Sequence, residues 1–212
     1  MDTFEQFLAK YPLITFEKGQ ILLLKDEVPK GVYIIASGLV KTYTINSNGE
    51  ERLISIVSKG EDIPIGFTAG LITRSQYFYE AYRRCTVRLV PREAYLQHMV
   101  DDNASLLRRH VRITRLLLST LTRVEALEQS NAGDKVALTL LYIADKIGGR
   151  FLPQKAWLKL SITQQEIANA LGLRRETAGI ILKKLEAKKL LVHSRNTYII
   201  YLEKLRAYLG NR

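Results

Sequence analysis

The stretch Ser161 to Lys189, SITQQEIANALGLRRETAGIILKKLEAKK, leaves the chain few ways to fold, because two short apolar-periodic runs flank a single Gly-containing break. Two helices joined by a tight turn satisfy that layout, which is a helix-turn-helix. Thr163 is placed to cap the first helix, and Glu166 three residues on can reach back to the cap's own N–H, the reciprocal pairing of a capping box. Ile167, Ala170 and Leu171 recur at helical spacing, and Gly172 supplies the backbone freedom to leave the helix near Leu171.

Leu173 can plug the corner between the two helices. Beyond it Thr177, Ala178, Ile181, Leu182 and Leu185 put small and apolar groups on one side, leaving Arg174, Arg175, Glu176, Ile180, Lys183 and Lys184 on the other. The exposed start of such a second helix fits a DNA major groove, where an Arg fork matches guanine and a carboxylate accepts from cytosine. Arg175 and Glu176 are therefore the candidate base readers. Thr163, Gln164, Gln165, Arg174, Thr177 and Arg195 are assigned to phosphates or to register. Most charged helix starts are simply solvated, so the longer pattern has to decide. From Thr163 to Glu186 the chain reads T-x-Q-E-I-A-x-x-L-G-L-x-R-E-T-A-G-x-I-L-K-x-L-E, which resembles the winged helix-turn-helix of the Crp/Fnr family of bacterial transcription regulators.

Charge is distributed in the same sense. Residues 131–212 hold 15 Lys/Arg against 6 Asp/Glu, a net of +9, while residues 1–130 hold 17 against 15, a net of +2. The C-terminal part carries the cationic surface suited to a polyanion. With 47% hydrophobic and 25% charged residues the chain suits one or two packed domains rather than disorder. A single cysteine, Cys85, excludes an intramolecular disulfide and any cluster held by several cysteines of one chain. Met1 to Leu13 lacks the basic start and apolar run of a secretory signal, and no apolar stretch approaches bilayer length, so a cytoplasmic protein with no membrane partner is expected.

Taken in order, Thr3 to Tyr11 reads as a short helix, after which the apolar period turns from helical to alternating. Phe16 and Ile21 to Leu23 precede the turn signal Pro29-Lys30-Gly31. Val32 to Ala36 and Leu39 to Ile45 read as two strands separated by Ser37-Gly38, and Asn48-Gly49 marks a hairpin between Lys41 to Ile45 and Arg52 to Val57. Several short strands at close spacing suggest a small antiparallel barrel or roll. Gly19, Gly31, Gly38, Gly49 and Gly60 fall at regular turns in a way that looks like the cyclic-nucleotide-binding β-roll of the same family. The fold class expected is therefore α+β: an N-terminal antiparallel β-roll, residues 1–102; a dimerisation helix and hinge, 103–130; and a C-terminal winged helix-turn-helix, 131–212.

The family's phosphate-binding cassette carries Gly-Glu before a short helix and an Arg-Ser/Thr pair beyond it. Here Pro64 and Ile65 match the first pair, and Ser75 and Gln76 the second, with Arg74 one residue out of register on what reads as a strand. A backbone N–H and the ribose-binding carboxylate are both lost, so a conventional cyclic-AMP site is not expected. Phe67, Tyr77, Phe78, Tyr79 and Tyr82 crowd the region and are read as packing of the roll. His98, His110 and His193 are dispersed, so no metal, haem or other cofactor is assigned.

Leu106, His110, Ile113, Leu117, Thr120, Val124 and Leu127 alternate in steps of 4 and 3, a coiled-coil seam for a homodimer. A second line, Leu107, Val111, Leu118 and Leu121, is expected to pack on the helix's own β-roll. Thr120 matches a seam position from which family members touch a bound nucleotide, but Leu121 follows it in place of a polar residue. Ser130 to Gly133 reads as a polar hinge, Val136 to Ile147 as a helix, and Phe151-Leu152 with Trp157 to Ile162 as a strand pair. Leu190 to His193 and Thr197 to Tyr201 form a wing around Ser194-Arg195-Asn196, and Leu202 to Leu209 a terminal helix. No phosphate loop, zinc-spaced ligand set or activated nucleophile is present, so the chain is not read as an enzyme. The resemblance implies a regulator of transcription that binds a roughly palindromic promoter site as a homodimer, with RNA polymerase as a further candidate partner and the effector unknown. The alternative is an effector-binding sensory or scaffold protein that uses its helix-turn-helix for protein contacts.

Overall fold

The structure, a computed structural model, describes residues 3–148 and 158–210. Contacts divide the chain into two compact units. The first comprises Met1–Thr44 with Ile54–Leu117, and the second Ile45–Leu53 with Leu118–Arg212.

The first unit is built on a six-stranded antiparallel sheet. Strands β1 (Leu13–Phe16) and β2 (Ile21–Leu23) both pair with β6 (Phe78–Val90); β6 pairs with β3 (Val32–Ile45), which in turn pairs with β4 (Glu51–Ser58) and β5 (Asp62–Ile63). Side chains alternate across a strand, and β3 uses both faces. Tyr33, Ile35 and Val40 enter the roll interior with Leu23, Val57, Tyr79 and Val87, whereas Val32 and Ile34 pack outward under Phe4 and Leu8 of α1 (Thr3–Ala9) and Tyr95 and Met99 of α3 (Arg92–Asp101). The two strands expected at Val32 to Ala36 and Leu39 to Ile45 are one. Gly38 (φ +80°) lets the chain bulge without breaking the ladder, and the register with β6 shifts on both sides of it. A Cβ there would meet Arg84 O at 2.2 Å and Cys85 Cα at 2.6 Å. Cys85 itself is fully buried, and burial pushes its thiol up to about 11.

Pro64 precedes the single turn α2 (Ile65–Thr68), with no side chain capping it. Ser75 is buried, its hydroxyl donating to Tyr77 O at 2.6 Å. Arg74 donates to Asp26 O at 2.9 Å from an irregular segment that ends before β6 begins, so the strand register expected for it does not apply. The aromatics pack as expected: Tyr79 lies in the core, Tyr82 is buried, and Phe78 stacks on Tyr43.

Helix α4 (Asn103–Glu128) departs from expectation in how it is covered. Leu107, Val111, Leu118 and Leu121, expected against the β-roll, are exposed, as are Leu106, Leu117 and Val124 of the seam. The face turned to its own chain is made by longer, charged side chains. Arg109 meets the buried Asp62 at 3.1 Å, Arg112 lies over the Phe4 ring, and Arg123 is 4% exposed. Guanidinium groups on methylene stems make these contacts in place of leucines, and the leucines and valines named above remain exposed.

In the second unit, α5 (Ala132–Gly148), α6 (Gln164–Leu171), α7 (Arg175–Ala187) and α8 (Leu202–Gly210) enclose a core of Leu140, Ile143, Ile167, Leu182, Leu185 and Leu205. A three-stranded sheet, β7 (Leu158–Ser161), β9 (Thr197–Ile200) and β8 (Leu191–Ser194) in that order, closes it. Helix α5 starts at Ala132, earlier than Val136, because Asn131 Oδ1 accepts from the N–H groups of Gly133 and Asp134. The break between helices expected at Ser130 to Gly133 is therefore residues 129–131. Phe151-Leu152, expected to pair with Trp157 to Ile162, lies outside the described residues, and β7 pairs with β9. Among the described residues no helix is long and apolar enough to cross a membrane.

Candidate nucleic-acid interface

The helix-turn-helix is fixed by short-range bonds. Thr163 Oγ1 accepts from the Glu166 N–H at 3.1 Å, while Glu166 Oε2 accepts from the Thr163 N–H at 2.6 Å, which completes the capping box. A single cap of this kind contributes about 1 kcal/mol. Gly172 adopts the left-handed conformation (φ 67°) and its N–H returns to Ala168 O, so the helix stops there and the chain reverses through Leu173.

Helix α7 begins differently. Its N-cap, Arg174, makes no side-chain cap bond, and the first N–H groups of a helix have no intrahelical acceptor of their own. Arg174, Arg175, Glu176 and Thr177 are all exposed, and Ile180 one turn on is 57% exposed. Thr177, expected on the packed side, is exposed; the buried stripe is Ala178, Ile181, Leu182 and Leu185.

Gln164 turns inward. Its Nε2 donates to Arg175 O at 2.7 Å, tying the first turn of α6 to the first turn of α7. Gly179 makes room for this, since a Cβ there would lie 2.2 Å from Gln164 Nε2. Gln165 donates to Asn169 Oδ1 on the exposed side of α6. In the wing, Arg195 occupies a left-handed position (φ 52°) and is exposed at the turn between β8 and β9. The turn is fastened by Asn196 O, which accepts from the Ile162 N–H, and by the His193 ring stacked on Tyr198 at 4.5 Å. The structure thus gathers Arg174, Arg175, Glu176 and Thr177 on one helix start, gives Thr163 and Gln164 positioning bonds, and sets Arg195 at the wing tip.

Residues 13–102 match the family model of the cyclic nucleotide-binding domain, and residues 134–208 match that of the Crp-like helix-turn-helix domain. The chain belongs to the Crp/Fnr family of transcription regulators. Members of the Crp/Fnr family bind DNA to regulate transcription and are not enzymes. The chain is 26% identical over 202 residues to the cAMP-activated global transcriptional regulator CRP of Escherichia coli O6:H1, covering 94% of each. It is also 26% identical to electron transport regulator A of Shewanella oneidensis, over 92% of this chain and 77% of that one. Among solved structures it resembles the c-di-GMP responsive global regulator CLP of Xanthomonas campestris (TM-score 0.78, 22% identity, 94% of this chain and 98% of that one). A Crp/Fnr-family regulator from Thermus thermophilus has a TM-score of 0.71 at 20% identity, over 92% and 97% of the two chains.

Two groups in this Crp/Fnr chain escaped sequence reasoning. Arg123, on α4, donates through Nη2 to Leu53 O at 2.6 Å and Ala170 O at 2.8 Å, and its guanidinium lies over the Tyr142 ring. Burial pushes its pKa down, and Nη1 has no partner. The second is the turn between β3 and β4. Gly49, Glu50, Glu51 and Arg52 share a cleft of about 550 Å³ with Gln165, Asn169, Leu173, Arg174, Arg175 and Glu176. An arginine inside an amphipathic helix carries no local mark of burial, and a turn far away in sequence gives no sign of what it meets.

Proposed function

We propose that this regulator binds a roughly palindromic promoter site as a homodimer, without needing cyclic AMP, and acts in the cytoplasm. The observation that carries the reading is the exposed Arg174-Arg175-Glu176 run at the uncapped start of α7. Arg175 specifies a guanine and Glu176 a cytosine of the opposite strand, while Ile180 contributes at most an apolar contact with a thymine methyl. Thr163, Gln164, Gln165, Arg174, Thr177 and Arg195 set register or meet phosphates. Residues 1–102 serve as the sensor-like roll, 103–130 as the dimerisation helix and hinge, and 131–212 as the DNA-binding part.

The dimer is supported by the exposed apolar lines of α4, which a second copy of the helix would cover; a dimer presenting two such helices would meet half-sites about one DNA turn apart. Independence of cyclic AMP is supported by Pro64 and Ile65 at the cassette and by Ser75, whose hydroxyl is engaged with Tyr77 O. RNA polymerase is the partner such a regulator would meet at a promoter. Binding to a mixed promoter library across a salt series tests the reading: affinity should fall steeply with salt through counterion release. Weak, salt-insensitive binding would favour a protein-docking role. Calorimetric titration tests the effector, and tight stoichiometric cyclic-AMP binding that raises DNA affinity overturns that part.

A further inference from the structure

The β3–β4 turn belongs, by its contacts, with the DNA-binding residues rather than with the sheet whose strands it joins. Asn46 holds it together: its Oδ1 accepts from the N–H groups of Asn48 and Glu50, its Nδ2 donates to Glu50 Oε2 at 2.9 Å, its N–H donates to Glu50 O, and Gly49 N–H returns to Asn46 O. Arg52, at the start of β4, meets Glu50 at 2.5 Å and lies under Gly172, where a Cβ would sit 3.7 Å from its Nε. Leu53 packs on the core of the second unit. Arg123 joins the Leu53 carbonyl to the Ala170 carbonyl at the end of α6, so one buried cation fastens the turn to the helix-turn-helix.

The consequence lies in the sign of the charges. The turn brings Glu50 and Glu51 to the cleft that Arg174 and Arg175 line. Arg174 and Arg52 both contribute to holding the Glu50 carboxyl below its ordinary value, after the larger effect of the Asn46 side-chain hydrogen bond. A phosphate approaching those arginines meets carboxylates already beside them, and like charges in one cleft repel.

We propose that the Asn46–Leu53 turn is an autoinhibitory latch, clamped by Arg123, which sets Glu50 and Glu51 beside the DNA-reading start of α7 and lowers DNA affinity until the turn is released. The proposal rests on the reading of α7 as the DNA-contacting helix. Arg123 is a positioning residue: it acts through its two carbonyl bonds, and its buried charge with an unbonded Nη1 makes it a clamp held at some cost.

The experiment compares full-length protein with Glu50→Gln/Glu51→Gln and Arg123→Met variants, measuring affinity for a promoter duplex at low and high salt. A dye on Asn48→Cys, an exposed position, reports the environment of the turn in each background. The double Gln variant should bind about fivefold tighter at low salt, the gain of one nearby charge pair in water, and the gap should close as salt screens it. Arg123→Met should change the dye's emission without DNA, and duplex should produce the same change in the unsubstituted background. If Arg123→Met fails to fold, Arg123→Lys, which keeps the charge but loses the two-carbonyl fork, takes its place. Equal DNA affinity of the double Gln variant and the unsubstituted protein overturns the latch while leaving the DNA reading intact. Dye emission indifferent to Arg123 overturns the clamp. If neither form binds duplex at any salt, the DNA reading itself fails and the latch falls with it.

Discussion

Gly179→Ala separates helix propensity from tertiary fit at one atom. In an ordinary helix interior the change favours folding by about 1 kcal/mol, because alanine loses less backbone freedom than glycine. Here the added Cβ lies 2.2 Å from Gln164 Nε2 and 3.0 Å from its Cδ. The obstacle is the far end of a flexible side chain, so the amide swings away rather than the backbone shifting, and the 2.7 Å bond to Arg175 O is lost. Such a bond contributes about 1 kcal/mol net. Gain and loss nearly cancel, and the single variant should melt close to the unsubstituted protein. In a Gln164→Ala background the obstacle is already gone, and Gly179→Ala should then stabilise by about 1 kcal/mol, or about 2–4 °C in melting temperature for a chain of this size. The coupling read from the four-variant cycle is about 1 kcal/mol. DNA affinity should fall in each variant that lacks the Gln164 tether. Thermal melts followed by circular dichroism decide the matter: equal stabilisation by Gly179→Ala in both backgrounds would refute the close approach of α6 and α7.

Leu117→Arg puts an unpaired charge on the exposed apolar face of α4 and should shift sedimentation towards the monomer; unchanged association moves the interface elsewhere. Arg175→Ala should cost roughly 1–3 kcal/mol on the preferred site and relax selection at one base pair, whereas Arg195→Ala should weaken all sequences alike and lower the salt slope by about one. Selection from randomised DNA distinguishes the two, and an unchanged base preference in Arg175→Ala overturns the groove assignment. Asp102 accepts from Thr3 at 2.6 Å and Ser105 at 2.7 Å, with the Thr3 bond the foremost cause holding its carboxyl well below the ordinary 3.8. A depressed folded-state value stabilises above the ordinary carboxylate range, and that stabilisation is lost as pH falls below that range and through the depressed value. Asp102→Asn should therefore melt lower at neutral pH and converge with the unsubstituted protein in acid; a constant gap across pH contradicts this.

What the sequence made legible was what neighbours along the chain decide. Thr163, Glu166 and Gly172 act within a turn of themselves, and the helix they bound came out where their chemistry puts it. The exposure of Arg174 to Glu176 follows from the same local periodicity. The α4 leucines show where such reading stops. Periodicity identifies an apolar line but not its partner, and with Arg109, Arg112 and Arg123 on the face turned to its own chain, both leucine lines are left uncovered. Gly38 misled in a different way: a glycine that reads as an interruption was the residue that let one strand bend and continue. Position alone puts Gln164 on the DNA side, whereas its bond to Arg175 O, for which Gly179 leaves room, turns its amide towards α7.

The burial of Cys85 has a practical meaning for anyone wishing to watch this molecule move. Its thiol is fully shielded and its ionisation is pushed up to about 11, so at neutral pH it presents almost no thiolate to an alkylating probe. The natural sequence therefore already behaves as a cysteine-less background for labelling. A single introduced thiol on α7, the wing or the β3–β4 turn can be tagged selectively, and distances between tags on two chains of an assembly can be followed without first altering the roll's interior.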